Sequence, residues 1–176
     1  MSNLTPSPQP SPASGRGGER VRRYLTPAAQ ALAIVRALCA RWEGMRLRPY
    51  LCPAGVATIG VGSTAYEDGA RVTMQDAAIT EARALELLDF TLTQIYMPAA
   101  RSLCLPCVMN AGMQAALSDF AYNLGCTRLK ASTLRRKINA GDLAGARAEL
   151  MKWVRGGGKV LPGLVKRRAA EAALIV

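Results

Sequence analysis

The spacing of apolar residues predicts an amphipathic helix as the first regular element. Apolar side chains recur every three or four positions from Leu32 to Trp42, the interval at which they share one helix face. Thr26 and Pro27 predict the helix start, because a hydroxyl caps the first backbone N–H groups and proline suits the first helical position. Gly44 predicts the end of the helix.

A β-hairpin is predicted directly after this helix. From Met45 to Val61 the pattern changes to alternation with β-branched residues around the turn letters PAG. The hairpin places Cys52 at its turn and Thr58 in its second strand. Gly60 and Gly62 leave the end of that strand without side chains, which is typical of a backbone that a ligand approaches.

The rest of the chain, beyond the loop GSTAYEDGARV, has a helical pattern. Thr73 and Asp76 have capping-box spacing, which predicts a long helix from there to Pro98. Further helix caps are predicted at Asn110, Ser132 and Asp142, and a last helix at LVKRRAAEAALIV. One helix, a small sheet and a helical lobe make an α+β domain over residues 26–176, with a cleft between two lobes. Residues 1–25, rich in Pro, Ser and Arg, are predicted to be a disordered tail.

Composition narrows the chemistry. Lys and Arg number 23 against 12 Asp and Glu, and the formal net charge of +11 favours anionic partners. The chain has no histidine, which excludes Ser-His-Asp and Cys-His catalysis and H-E-x-x-H zinc sites. Proton chemistry must therefore come from carboxylate, thiol, hydroxyl or lysine groups.

The cysteines predict neither a disulfide framework nor a metal site. Their number, 5, is odd, and the chain is long enough to bury an ample core, so reduced thiols are expected. Cys104 and Cys107 have C-x-x-C spacing, but neither a second pair nor a histidine completes a zinc site. No metal and no cofactor is predicted. The sequence also shows no transmembrane segment and no ordinary signal peptide.

Glu43 is the carboxylate that the pattern singles out. It falls at the C-terminal end of the first predicted helix, where the helix dipole disfavours a charged carboxylate. Apolar neighbours such as Trp42 and Met45 are expected to desolvate it, and both effects raise a pKa toward the range of a general acid. The alternative is an ordinary helix-end residue.

The segment WEGMRLRPYLCPAGVATIGVGST resembles the catalytic segment of the phage-type lysozymes, glycoside hydrolase family 24, the family of the T-even bacteriophage lysozyme. The family signature is Glu, eight residues, Asp or Cys, five residues, Thr, and Glu43, Cys52 and Thr58 occupy its three places. The segments ALSDFAYNLG, STLRRKINAGD and KWVRGGGKVLPGLVKRRAAE are similar to parts of the family's helical lobe. The resemblance therefore covers residues 26–176.

This resemblance implies a lysozyme-like two-lobed fold. It also implies an endolysin that hydrolyses the β-1,4 bond between N-acetylmuramic acid and N-acetylglucosamine in peptidoglycan. Glu43 would be the general acid, and Cys52, where most members have Asp, would act with Thr58 on the attacking water. Three further residues match family positions in or near the substrate cleft: Asp119, Asn123 and Arg167.

The role of Cys52 stays open between a water-orienting base and a nucleophile. An unperturbed thiol titrates near pH 8.5, so few thiols are ionised at neutral pH. Positive neighbours such as Arg46, Arg48 or Arg167 would lower that value.

Cys39 adds a redox hypothesis. It precedes Glu43 by four residues and so shares its helix face. Some cysteine-bearing members of the family are held inactive by a disulfide to the catalytic cysteine, so the resemblance implies a regulatory disulfide between Cys39 and Cys52. The alternative is that Cys39 is part of the buried face of the helix.

The positive charge also suggests a second class of function: a nucleic-acid binding module, or a cell-wall binding protein with impaired catalysis. The basic residues are spread over helices without a reading motif, so no specific nucleic-acid partner is expected. We expect a monomer that accumulates in the host bacterial cytoplasm. Holin-dependent release would then bring it to the wall in the periplasm.

Overall fold

The computed structural model of the protein describes residues 25–105 and 109–176. The predicted tail, apart from Leu25, and Cys107 lie outside the described residues. The helices are α1 Pro27–Glu43, α2 Glu81–Thr91, α3 Met97–Leu103, α4 Ala111–Leu124, α5 Cys126–Ala131, α6 Thr133–Asn139, α7 Leu143–Leu150 and α8 Pro162–Ala173. The strands are β1 Arg46–Leu51, β2 Ala57–Gly60, β3 Arg155–Gly156 and β4 Lys159–Val160. None of the described helices is long and apolar enough to cross a membrane.

The first helix and the hairpin form as predicted. Thr26 Oγ1 accepts a hydrogen bond from the backbone N–H of Ala29, and Gly44 follows the last helical residue with φ +72°. The strands β1 and β2 pair antiparallel, with Tyr50 opposite Thr58. The turn between the two strands begins at Cys52. Glu43 therefore ends α1, and Cys52 and Thr58 lie in the hairpin that follows it.

Each lobe has its own core. Among the described residues, one buried cluster surrounds Phe120 in the helical lobe, and a smaller one joins Ile59, Val72 and Leu87 in the β lobe. A third cluster, at the junction, packs α1 against α2, α4 and the residue that follows β2. The helix that carries Glu43 is therefore part of the packing between the lobes.

The predicted start of the second long helix is wrong. Residues 73–80 are not helical, and α2 begins at Glu81, with Thr80 Oγ1 accepting from the backbone N–H of Arg83 at 3.1 Å. Asp76 does bond to Thr73, but it also accepts from the Tyr66 hydroxyl at 2.8 Å, so the pair closes a loop. After α2 the helical path continues through a π-helical turn at Leu92–Tyr96 and into α3, which contains Pro98.

Two smaller features differ from the sequence analysis. The glycine-rich segment after α7 forms the hairpin β3–β4, which the sequence analysis did not predict. Gly60 and Gly62 have positive φ of +65° and +92°, and added Cβ atoms would lie 3.3 Å from the Ala84 Cβ and 3.1 Å from the Tyr122 hydroxyl oxygen. Backbone conformation and close packing explain both glycines without a ligand.

Thr80→Ala is expected to lower the free energy of unfolding by about 1 kcal/mol, because it removes the side-chain cap of α2. Thr80→Ser keeps the capping oxygen and is the matched control. Chemical denaturation of both variants measures the difference. Equal stability of the two variants would show that the hydroxyl does not cap this helix.

Candidate active site

Glu43 ends α1, and an arginine from α8 holds its carboxyl group. Arg167 Nη1 donates to Glu43 Oε1 at 2.6 Å. The Glu43 side chain is 31% exposed, whereas that of Arg167 is 4% exposed. The Glu43 carboxyl group is therefore only partly removed from solvent. The guanidinium group of Arg167 lies on one side of this carboxyl group, and solvent lies on the other.

Arg167 is fixed in turn by Asp119 of α4. Its Nε and Nη2 donate to Asp119 Oδ2 and Oδ1, both at 2.8 Å. Burial would raise the pKa of Asp119, but hydrogen bonds from Arg167 and Glu171 outweigh burial and leave the pKa below its ordinary value. Asp119 is 0% exposed, which corrects its predicted place in the cleft lining. It positions Arg167 from behind.

Arg168 and Glu171 complete a buried ionic cluster that the sequence analysis missed. Both are 0% exposed, and Arg168 Nη2 donates to Glu171 Oε1. Burial raises the pKa of Glu171 well above its ordinary value, and the hydrogen bond to Asp119 acts in the same direction. Burial therefore favours the neutral form of Glu171, whereas the ion pair with Arg168 favours its charged form. The available signal was the three-residue spacing on α8, but such pairs usually lie on exposed helix faces.

Cys39 joins this cluster from α1. It is 0% exposed, and its Sγ donates to Asp119 Oδ1 at 3.3 Å. Burial, followed by the charge of Asp119, raises the pKa of the Cys39 thiol far above its ordinary value. Cys39 and Cys52 are both free thiols in this structure. The disulfide between them stays a prediction, and it would require Cys39 to leave Asp119.

Cys52 and Thr58 lie together in the hairpin. The Cys52 N–H donates to the Val56 carbonyl at 3.0 Å, and Thr58 Oγ1 donates to the same carbonyl at 2.9 Å. Backbone hydrogen bonds at Val56 and Ala54 lower the pKa of the Cys52 thiol below its ordinary value, and the Thr58 hydroxyl acts in the same direction. No arginine is among the causes, which corrects the predicted source of the shift.

A cavity of about 320 Å³ lies between the lobes, beside Glu43. Its walls come from the loop after β2, from α2 with the π-helical turn, and from the end of α4. Asn123 lines it, as the resemblance implies, and its buried Oδ1 has no hydrogen-bond partner among the described residues.

The predicted site residues thus form two groups. Glu43, Arg167 and Asp119 are joined by direct ion pairs, and Asn123 shares a cavity with Glu43. Cys52 and Thr58 form the second group, and within residues 25–105 and 109–176 no hydrogen bond joins either of them to Glu43. The geometry between the groups therefore depends on how the hairpin is attached to the helical lobe.

A family model described as phage lysozyme matches residues 40–171. The chain belongs to the phage lysozyme family. The match begins in the last turn of α1, which carries Glu43, and ends at Glu171 of the buried cluster. It includes all the predicted site residues except Cys39.

Individual relatives of this phage lysozyme agree with the family match. The endolysin of Acyrthosiphon pisum secondary endosymbiont phage 1 is 38% identical over 141 residues, which are 78% of this chain and 91% of that protein. The SAR-endolysin of Escherichia phage Mu is 36% identical over 132 residues, 75% of this chain and 72% of that protein.

The predicted fold is confirmed by comparison with solved structures. A crystal structure of a P22 lysozyme mutant superimposes with a TM-score of 0.69 at 30% identity, covering 80% of this chain and 94% of that chain. This phage lysozyme therefore has the two-lobed α+β architecture that its sequence predicted.

The raised pKa of Glu171 makes the stability of this phage lysozyme depend on pH. Between the unfolded value, about 4.3, and the higher folded value, the native state binds more protons, so the free energy of unfolding falls as pH rises. Glu171→Gln keeps a neutral side chain and should remove that fall. Denaturation at a series of pH values measures it, with the exposed Glu86→Gln as control.

A charged Glu171 predicts a different result. If Arg168 needs a charged partner, Glu171→Gln leaves a buried cation unpaired and costs about 3–5 kcal/mol at every pH. That outcome would show that Glu171 is ionised in the native state.

Proposed function

We propose that this phage lysozyme is an endolysin that hydrolyses the β-1,4 bond between N-acetylmuramic acid and N-acetylglucosamine in peptidoglycan. The observation that supports this most is the placement of Glu43. Its carboxyl group lines a cleft between two lobes and is held there by the buried Arg167. A carboxyl fixed at the wall of a saccharide-sized cleft is suited to protonate a glycosidic oxygen.

Glu43 acts as the general acid. One oxygen, Oε1, is bound by Arg167, and among the described residues Oε2 has no hydrogen-bond partner. Asp119 already compensates the charge of Arg167 through two hydrogen bonds. The arginine therefore serves mainly to orient the carboxyl group, and the second oxygen is available to the leaving group of the substrate.

Cys52 and Thr58 act on the attacking water. The lowered pKa of Cys52 increases the thiolate fraction at neutral pH, and a thiolate accepts a proton or a hydrogen bond from water. Thr58, in the strand facing the turn, contributes a hydroxyl beside the thiol. Water held on the face of the sugar opposite Glu43 leads to inversion at the anomeric carbon.

Asn123 is proposed to bind the substrate directly. Its side-chain amide lines the cavity beside Glu43, and an amide both donates hydrogen bonds to and accepts them from groups such as the hydroxyl and acetamido groups of peptidoglycan sugars. Arg167, 3% exposed, and Asp119 position Glu43 without forming the cleft surface. The net charge of +11 favours approach to the anionic bacterial envelope.

The route to the wall stays a prediction. The phage Mu relative is named a SAR-endolysin and the secondary endosymbiont phage relative an endolysin, so the names of relatives do not agree on one type. We still expect accumulation in the host cytoplasm, holin-dependent release, a monomeric state and no specific nucleic-acid partner.

Glu43→Gln is expected to lower the rate of peptidoglycan hydrolysis by about 10²–10⁴-fold, because the amide cannot donate the proton that a general acid supplies. Binding to insoluble peptidoglycan should be kept, since the neutral side chain preserves the cleft. A zymogram and a pelleting assay measure the two properties, with Glu86→Gln as control. Hydrolysis at the wild-type rate would exclude Glu43 as the acid.

Cys52→Ser is expected to lose most hydrolysis, whereas Cys52→Asp should retain it and move the rising limb of the pH–rate profile toward acid. The reason is that Asp titrates near 3.9, far below any thiol. Cys126→Ser, a partly exposed thiol in α5, is the matched control. Full activity of Cys52→Ser would show that the thiol is dispensable.

A further inference from the structure

The two groups of site residues stand on separate elements, and a turn at the end of β2 lies between the hairpin and the helical lobe. After β2 the backbone reverses so that Ile59 and Ser63 exchange two hydrogen bonds of 2.9 Å each. Val61 lies inside this reversal, and its side chain is 0% exposed in the junction core. We refer to residues 59–63 as the junction turn.

Tyr122 of α4 reaches into the junction turn. Its hydroxyl donates to the Val61 carbonyl, and its ring packs edge-on against Tyr96 with centroids 5.1 Å apart. A Cβ on Gly62 would lie 3.1 Å from the same hydroxyl oxygen, so the contact leaves no room for a side chain there. Burial raises the pKa of Tyr122 far above its ordinary value, and the hydroxyl keeps its proton as a permanent donor.

The same face of α4 also holds the acid. Asp119 and Tyr122 are three residues apart and therefore neighbours on the helix surface. Asp119 binds Arg167, which binds Glu43. Tyr122 binds Val61, three residues beyond Thr58 in the chain. Helix α4 thus contacts Arg167, which holds Glu43, through Asp119, and contacts the junction turn through Tyr122. It therefore fixes the position of the proton donor relative to the hairpin.

We propose that Tyr122 is a positioning residue, which sets the hairpin that carries Cys52 and Thr58 relative to Glu43 through its hydrogen bond to Val61. The proposal rests on the function proposed above. Tyr122 acts through the backbone of the junction turn and takes no part in proton transfer. Among the described residues, this hydrogen bond is a polar contact between a side chain of α4 and the backbone of the junction turn.

The kinetic consequence follows from the sensitivity of catalysis to distance. Tyr122→Phe keeps the ring and its packing but leaves the Val61 carbonyl without this donor, so the hairpin is free to shift. Because small misplacements of reacting groups slow the chemical step, kcat should fall about tenfold while KM changes by less than about twofold. The pH–rate profile should keep its shape, since no titrating group is lost.

Soluble peptidoglycan fragments allow kcat and KM to be separated. Tyr50→Phe is the matched control, because Tyr50 lies outside the cavity, its ring contact with Arg46 is kept, and its hydroxyl donates no hydrogen bond within the described residues. Its kcat should stay within about twofold of wild type. A rise in KM alone for Tyr122→Phe would overturn the proposal and indicate direct substrate binding, and kinetics equal to those of Tyr50→Phe would overturn it as well.

Gly62→Ala provides a second variant that acts on the same bond from the other side. Its methyl group displaces the Tyr122 hydroxyl, so kcat should fall, and combining it with Tyr122→Phe should add little further loss. Independent, multiplying losses would contradict a shared contact. Thermal unfolding of each variant shows that the loss occurs in folded protein.

Amide hydrogen exchange gives a readout that does not depend on hydrolysis. Tyr122→Phe should exchange faster than wild type at Ile59 and Ser63, and Tyr50→Phe should not. If the wild type exchanges as expected but hydrolyses no peptidoglycan, the proposed function fails and the structural role of Tyr122 stands. If the wild type hydrolyses and Tyr122→Phe leaves exchange and kcat unchanged, only the role of Tyr122 fails.

Discussion

The two hydrogen bonds between Arg167 and Asp119 are the interaction on which the site depends. Removing one partner of a buried ion pair costs about 3–5 kcal/mol. The pair therefore holds its geometry strictly, and the third guanidinium nitrogen of Arg167, Nη1, donates to Glu43. The position of the Glu43 carboxyl group therefore depends on the packing of α4 against α8 as well as on the end of α1.

The charges around this pair are arranged so that few are uncompensated. Arg167 pairs with Asp119 and Glu43, Arg168 pairs with Glu171, and burial raises the pKa of Glu171. Cys39 donates to Asp119 as a neutral thiol. This arrangement keeps the cluster near neutrality inside the protein, where an unpaired charge is costly. It also separates Cys39, a buried thiol of raised pKa, from Cys52, a thiol of lowered pKa in the hairpin.

The sequence predicted well whatever is decided within a few residues. The caps at Thr26, Asn110 and Ser132 and the hairpin with its turn at Cys52 all form as expected. Thr73 and Asp76 misled because a capping-box pair also closes a loop, and only the contact from Tyr66 distinguishes the two. Local signals are reliable where no distant residue competes for the same polar groups.

Long-range electrostatics was beyond the sequence. Arg167 and Glu43 are 124 positions apart, and the resemblance, rather than any pattern, indicated that they meet. The burial of Asp119 and Glu171 depends on how three helices pack, so an exposed role for Asp119 was the natural expectation. The pKa of Cys52 depends on backbone amides of its own turn, and composition reveals only the arginines nearby.

The configuration of the newly formed reducing end tests the central claim most directly. When wild-type protein cleaves soluble peptidoglycan fragments, proton NMR in the first minutes distinguishes the α from the β anomer before they interconvert. Water held by Cys52 and Thr58 opposite Glu43 predicts that the α anomer appears first, by inversion of the β-1,4 bond. A β product would contradict this arrangement and identify Cys52 as a nucleophile that forms a covalent intermediate.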